Sequence, residues 1–323
     1  MPEGDAVRRL AVTFEDLFVG RRCRVTSPQG RFASSAAIVD GWTMASATSV
    51  GKHLFLEFAP SSGPVAEPLW IHVHLGLYGS WRFQGDGTFT APPSIGAPRT
   101  GPSGRTSGRD HPGLTISADS GGEGVDAEEE GWQAPDPVGQ VRVRIATRHG
   151  LADLSGPTRC DLISGPERRA ALARLGPDPL APGAREDPVA RKRFVLSVRA
   201  HRRAVGELVM DQSVIAGVGN IYRAEGLFLE GISPFRPGTR VSEARLGRLW
   251  VRFCDLMSHG VAVGRIETVD PTDAPQPPLP GDPEASRWYV YHRTGRPCLR
   301  CGGVVQEQLM QGRRLFWCPR CQH

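Results

Sequence analysis

Asp211-Gln212-Ser213-Val214-Ile215-Ala216-Gly217-Val218-Gly219-Asn220-Ile221-Tyr222-Arg223-Ala224-Glu225 lies past the middle of a chain of 323 residues. Two glycines, one residue apart, interrupt an otherwise helical run from Gly206 to Leu229. Glycine adopts backbone angles that other residues resist, so Gly217 and Gly219 permit a tight turn between two helices. The helix that restarts after them offers amide donors at its N-terminus, which suit an anion. A plain interhelix turn would need the same residues.

The flanks are helical too. Pro166-Glu167 begins a segment that carries Leu172 and Leu175. Residues 188–203 follow, with Arg191, Lys192, Arg193, Arg199, Arg202 and Arg203, and a further helix is expected over 242–258. Residues 268–284 are rich in Pro and Asp and read as a loop. Upstream the pattern changes. Val7, Leu10, Ala11, Phe14, Leu17 and Phe18 recur at a helical period within residues 1–20. Strand alternation then takes over: Leu54, Leu56 and Phe58; Leu69, Ile71, Val73 and Leu75; Val141, Val143 and Ile145. Residues 91–139 break that pattern with many Gly and Pro and an acidic run, Glu128-Glu129-Glu130. Such a composition buries too little apolar surface to offset its ordering entropy, so 91–139 reads as a flexible insert between strands.

The net charge is +5, which suits a chain that meets a polyanion but is common among soluble proteins. Hydrophobic residues make up 39% and no apolar run is long enough to span a bilayer, so no membrane-spanning helix is expected. The start lacks the basic-then-apolar form of a signal peptide, and a cytoplasmic protein is expected. Only Lys52 and Lys192 are lysines; every other basic side chain is arginine.

Cys298-x2-Cys301-x16-Cys318-x2-Cys321 has the spacing of a four-thiolate site for one structural Zn2+. Two disulfides are the alternative, disfavoured in a reducing compartment. Cys23, Cys160 and Cys254 are isolated and read as buried thiols. Between the two cysteine pairs, Gln311-Gly312-Arg313-Arg314 forms a donor-rich turn suited to phosphates or a groove.

Pro2 follows the initiator Met. Removal of Met1 would expose a secondary amine, and a terminal amine has a pKa of about 7.7–8.0, far below that of lysine. Such an amine can attack an aldehyde-level carbon and give a cationic iminium, with Glu3 beside it as acid or base. Most chains that start Met-Pro-Glu put these residues to no chemical use.

The three features occur together and in order: Pro2-Glu3-Gly4-Asp5, the Asp211–Glu225 motif and the four-cysteine module. Together they resemble the formamidopyrimidine-DNA glycosylase/endonuclease VIII family. Gly4 and the ending Phe316-Trp317-Cys318-Pro319-Arg320-Cys321-Gln322-His323 resemble its endonuclease VIII branch. The resemblance implies an α+β fold: an N-terminal β-sandwich opened by a catalytic helix (1–155), a helix–two-turn–helix domain (165–285) and a β-hairpin zinc finger (286–323). It implies a monomeric, bifunctional DNA glycosylase and abasic-site lyase of base-excision repair that excises oxidised pyrimidines from double-stranded DNA. Pro2 would be the nucleophile and Glu3 the general acid. Lys52, in Gly51-Lys52-His53, would contact a phosphate and assist proton transfer. Asn220 and Arg313 would hold phosphates flanking the lesion.

His74-Leu75-Gly76-Leu77-Tyr78-Gly79 matches the loop that fills the gap left by an extruded nucleotide, with Leu77 and Tyr78 as wedge and His74 on phosphate. Gly76 departs from the branch pattern, which often has Gln there. Leu77 could equally be core, and His72 with His74 could pair on one strand face around a metal. Two rival functions are a damaged-DNA-binding homologue without robust glycosylase activity and a zinc-ribbon protein that binds protein or RNA. The latter leaves Pro2-Glu3 without a role.

Overall fold

The computed structural model describes residues 2–60, 67–97 and 132–323. Its elements run α1 (Gly4–Phe18), β1 (Arg24–Thr26), α2 (Ala33–Val39), β2 (Thr43–Val50), β3 (His53–Ala59), β4 (Leu69–His74), β5 (Ser80–Gly85), β6 (Ser94–Gly96), β7 (Val141–Ala146), β8 (Gly150–Ser155) and β9 (Arg159–Ile163). The second half adds α3 (Gly165–Ala173), α4 (Pro188–Arg199), α5 (Val205–Leu208), α6 (Asn220–Leu229), α7 (Glu243–Val263), β10 (Gln306–Met310) and β11 (Arg313–Trp317). The fold is α+β.

Two antiparallel sheets face each other in the first half. One has the order β2-β3-β4-β9 and the other β1-β7-β8-β5-β6. The apolar stripe of α1 is buried along its length and packs into their core. The Phe14 ring meets Trp81 and Phe83 edge-on, with centroids 4.8 and 5.5 Å apart. β9 pairs with β4, so the sandwich continues past residue 155 to Ile163. The region expected as an insert also starts later. Ser94–Gly96 pairs with β5 and buries Ile95, and the sequence reading missed it because three residues show no alternation. Residues 98–131 lie outside the described residues.

Helices in the second half follow their end signals. Asp187 caps α4 by accepting from Val189 and Ala190 amides at 2.8 and 3.2 Å, with Pro188 in the first turn. Ser242 caps α7, which runs on to Val263 and stops at Gly264, φ 81°. The run expected over Gly206–Leu229 divides into α5 and α6. α6 is unusual: every residue from Asn220 to Phe228 is buried, including Asn220, Arg223 and Glu225. No described helix is long and apolar enough to cross a membrane.

α1 and α7 pack together where Gly260 lets α7 approach; a Cβ there would sit 2.3 Å from the Tyr222 hydroxyl and 3.2 Å from Asp5 Oδ2. Asp5 is buried at this junction, and burial followed by the charge of Glu3 raises its pKa to about 7. Its folded pKa lies above its unfolded value of 3.8, so the folded state keeps a proton that the unfolded state has lost. The contribution of Asp5 to stability therefore falls as pH rises from about 4 to about 7, by up to about 1.4 kcal/mol per pH unit. Asp5→Asn should reduce that slope in urea unfolding followed across this pH range. An unchanged slope would mean that Asp5 titrates alike in both states.

Candidate active site

Three backbone segments meet at glycines. Gly217 has φ 90°, and a Cβ there would lie 2.9 Å from Met257 Cε and within 3.5 Å of the Cα atoms of Gly51 and Gly4. The Gly4 amide donates to the Gly217 carbonyl at 3.0 Å. Gly51, φ 57°, has room for no Cβ either, since one would come 2.8 Å from the Gly217 nitrogen. The start of the chain, the β2–β3 turn and the turn before α6 thus touch backbone to backbone. The sequence indicated that Gly217 and Gly219 bend the chain. It did not indicate that Gly4 and Gly51 dock on them.

This packing places Glu3 against the N-terminus of α6. Its Oε2 accepts from the Gly219 amide at 2.8 Å and from Tyr222 at 3.4 Å, and Oε1 accepts from Ile221 at 2.8 Å. These amides are the otherwise unpaired donors of the helix end. They were expected to serve as an anion site, and the anion they hold is the protein's own carboxylate. Glu3 is fully buried, and burial raises its pKa; the nearby Lys52 charge and the three amides pull the other way without cancelling it.

Pro2 is buried beside Glu3. Lys52 leaves the β2–β3 turn, and its ammonium donates to the Val218 carbonyl at 2.8 Å. Burial lowers the Lys52 pKa to about 8; Glu3 opposes that shift and Arg313 adds to it. Arg313 is exposed at the first position of β11, after a tight turn at Gln311 and Gly312 with φ 50° and 69°. Asn220 opens α6 with its side chain already engaged: Nδ2 donates to the Arg314 carbonyl at 2.9 Å and Oδ1 accepts from Arg223. The neighbouring amides expected to help Asn220 hold a phosphate are those that Glu3 occupies.

Leu77 and Tyr78 stand apart from this cluster, whereas His74 pairs across the strands with His53, next to Lys52, and its pKa is lowered by burial and then by the Lys52 charge. Leu77 and Tyr78 are 49% and 80% exposed in the β4–β5 turn, which excludes Leu77 from the core. His74 Nδ1 lies 3.0 Å from Thr158 Oγ1. His72 Nε2 lies 2.8 Å from His53 Nδ1, so the two histidines on one strand face do not pair with each other.

The cysteine sulfurs of Cys298, Cys301, Cys318 and Cys321 lie within 4.8 Å of one another, compatible with a metal site. Cys23, Cys160 and Cys254 are buried free thiols.

Four residues of the site went unread in the sequence. Gln212 accepts from the Gly217 amide at 2.9 Å and donates to the Val218 carbonyl at 3.0 Å, so it shapes the turn. Glu225, fully buried, accepts from the amides of Tyr289, Val290 and Tyr291 at 2.8, 2.9 and 2.8 Å. Arg223 donates to the Arg314 carbonyl at 3.2 Å, while its Nε and Nη1 have no hydrogen-bond partner among the described residues. Gln212, Arg223 and Glu225 stood inside the deciding motif, where charged or amide side chains on an apolar helix were the signal. Asp178, which accepts from the Gly51 amide at 2.7 Å, carried no signal.

Glu3→Gln should lower the stability of the DNA-free protein by about 1–3 kcal/mol, because an amide group would face at least one buried donor. Urea unfolding measures this. Unchanged stability would mean that the carboxylate does not hold α6.

Two family models match the chain. The formamidopyrimidine-DNA glycosylase N-terminal domain covers residues 1–123, and the formamidopyrimidine-DNA glycosylase H2TH domain covers residues 175–271. Curated relatives include Endonuclease 8 1 of Mycobacterium tuberculosis and of Mycobacterium bovis, each 38% identical over 323 residues and covering 100% of both chains. The formamidopyrimidine-DNA glycosylase of Geobacillus kaustophilus is 37% identical over 164 residues, 48% of this chain and 54% of that one. Among solved structures, Lactococcus lactis Fpg (MutM) in complex with DNA containing N7-benzyl-Fapy-dG has a TM-score of 0.68 at 18% identity, covering 100% of both chains. The same protein with abasic-site DNA gives 0.66 at 18% identity and 99% of both chains. These two likenesses are of fold.

Proposed function

The chain belongs to the formamidopyrimidine-DNA glycosylase/endonuclease VIII family, and on that premise we propose how its residues carry out the chemistry of a base-excision repair glycosylase and abasic-site lyase. The partner is double-stranded DNA containing damaged bases or abasic sites. Oxidised pyrimidines are the favoured lesions, since the full-length relatives are endonucleases 8 and Gly4 and the C-terminal ending resemble that branch. A cytoplasmic, nucleoid-associated place goes with this reading.

With Met1 removed, Pro2 supplies a secondary amine at the glycine junction. Its nitrogen attacks C1′ and the N-glycosidic bond breaks; the base leaves with the bonding pair and takes up the proton that the attacking N–H gives up. Glu3 donates a proton that opens the sugar ring. Its burial favours the protonated form, which suits a general acid. The product is a cationic iminium at C1′. Loss of a C2′ proton into that electron sink expels the 3′ phosphate, and a second elimination expels the 5′ phosphate. Water then hydrolyses the iminium and frees the amine. An ammonium at Lys52, beside Glu3 in charge and 2.8 Å from the Val218 carbonyl, pairs with a phosphate and assists proton transfer. Asn220, through the Nδ2 hydrogen not given to the Arg314 carbonyl, and Arg313 hold flanking phosphates, and His74 contacts the backbone nearer the wedge. Leu77 and Tyr78, exposed as they are, fill the gap left by the extruded nucleotide; unstacking costs a few kcal/mol, which an apolar wedge offsets.

The cysteine cluster fits one structural Zn2+. Four sulfurs at about 2.3 Å from a tetrahedral ion stand about 3.8 Å apart. Here Cys298–Cys321 and Cys301–Cys318 are 3.8 and 3.5 Å apart. With four protein ligands the ion would supply folding energy to the hairpin that presents Arg313 and no open catalytic position.

The observation that supports this reading is that Glu3 and Lys52 meet at the turn and helix start of α6, with Pro2 buried next to Glu3 in the chain. Borohydride trapping tests it on oligonucleotides with an abasic site or an oxidised pyrimidine. A covalent adduct should form and be lost in Pro2→Gly or on blocking the terminal amine. No adduct with either substrate, despite a free Pro2 verified by intact mass, would leave a damaged-DNA-binding homologue instead.

A further inference from the structure

The segment joining α3 to α4 carries a carboxylate to which the chemistry above gives no part. Asp178 Oδ2 accepts from the Gly51 amide at 2.7 Å, and Oδ1 accepts from Leu180 at 2.8 Å. The residues just before it are tied to the turn that precedes α6. The Gly176 amide donates to the Gln212 carbonyl at 2.8 Å, and Ala216 donates to the Pro177 carbonyl at 3.0 Å. Gln212 in turn donates to the Val218 carbonyl at 3.0 Å, the same oxygen that accepts from Lys52 at 2.8 Å. The hydrogen bonds therefore close a ring: Asp178, the Gly51-Lys52 turn, Val218, Gln212 and back to Gly176.

Gly51 stands at φ 57° and has no side chain, so its orientation rests on its backbone contacts and on what its amide bonds. The tight backbone contact with Gly217 limits translation of this turn. The Gly51 amide lies in the Val50–Gly51 peptide, so the Asp178 carboxyl at 2.7 Å fixes the plane from which the φ 57° turn at Gly51 sends the chain on to Lys52. We propose that Asp178 is a positioning residue for Lys52: by holding the Gly51 amide it fixes where the ammonium stands relative to Pro2 and Glu3. A displacement near 1 Å at a reacting group can cost about a hundredfold in rate. The inference rests on Lys52 acting in the lyase step.

A double-mutant cycle tests it, read as the single-turnover rate of cleavage at an abasic site and the affinity for an uncleavable abasic analogue. Asp178→Asn keeps the shape but can offer an oxygen to only one of the two amides. It should slow cleavage about tenfold or more at saturating protein while affinity stays within about twofold. In the Lys52→Ala background the same change should have no further effect. An equal loss in both backgrounds would place the role of Asp178 outside Lys52 and overturn the proposal. Lys52→Ala without effect on the wild-type rate would overturn it differently, by removing the role of Lys52 itself. Should Asp178→Asn show no cooperative unfolding transition, Asp178→Ser enters the same cycle and the same outcomes decide.

Discussion

The Glu3 carboxylate accepts from the amides of Gly219 and Ile221, 2.8 Å away in space and 216 and 218 residues away in sequence. A carboxylate taken wholly out of water costs several kcal/mol unless hydrogen bonds or charges offset it. Here the offset comes from the end of a helix and from Lys52. Burial still prevails, so the group holds its proton more tightly than an exposed glutamate. The arrangement that docks the first residues on the second half of the chain also raises the Glu3 pKa, as the proposed acid role requires.

The same device recurs further along α6. Glu225 takes the amides of Tyr289, Val290 and Tyr291, which lead into the cysteine hairpin, and accepts from the Thr268 hydroxyl at 2.6 Å. Two buried carboxylates thus join α6 to the sandwich on one side and to the four-cysteine module on the other. Asn220 and Arg223 extend this link by reaching the Arg314 carbonyl at 2.9 and 3.2 Å, next to Arg313. That is why a helix with three strongly polar residues is buried from Asn220 to Phe228. Its polar groups are the fastenings, and its apolar residues fill the core around them.

Much of this was legible before any coordinates. Gly217 and Gly219 marked the turn, the cysteine spacing marked the four sulfurs that come together, and the period of α1 marked its buried stripe. Strands with strict alternation were readable. β2 was not, because Thr43–Val50 is dominated by small and polar residues, and β8 was not, because its first five residues are all buried and alternation disappears. What stayed hidden was long-range pairing. A sequence shows that a helix end offers amides, but not that a glutamate two hundred residues earlier already occupies them. Asp178 is the extreme case, an ordinary aspartate in a loop until the Gly51 amide is seen against it. Lysine scarcity singled out Lys52, which stands where burial lowers its pKa to about 8.

The central claim is that this packing makes Pro2 the nucleophile, with Glu3 and Lys52 in supporting roles. Tandem mass spectrometry of the borohydride-trapped complex, after proteolysis, tests it most directly. The account predicts that the reduced nucleotide is attached at the Pro2 nitrogen, on the peptide that carries Glu3. An adduct on Lys52 or another amine, with the Pro2 peptide unmodified, would contradict it.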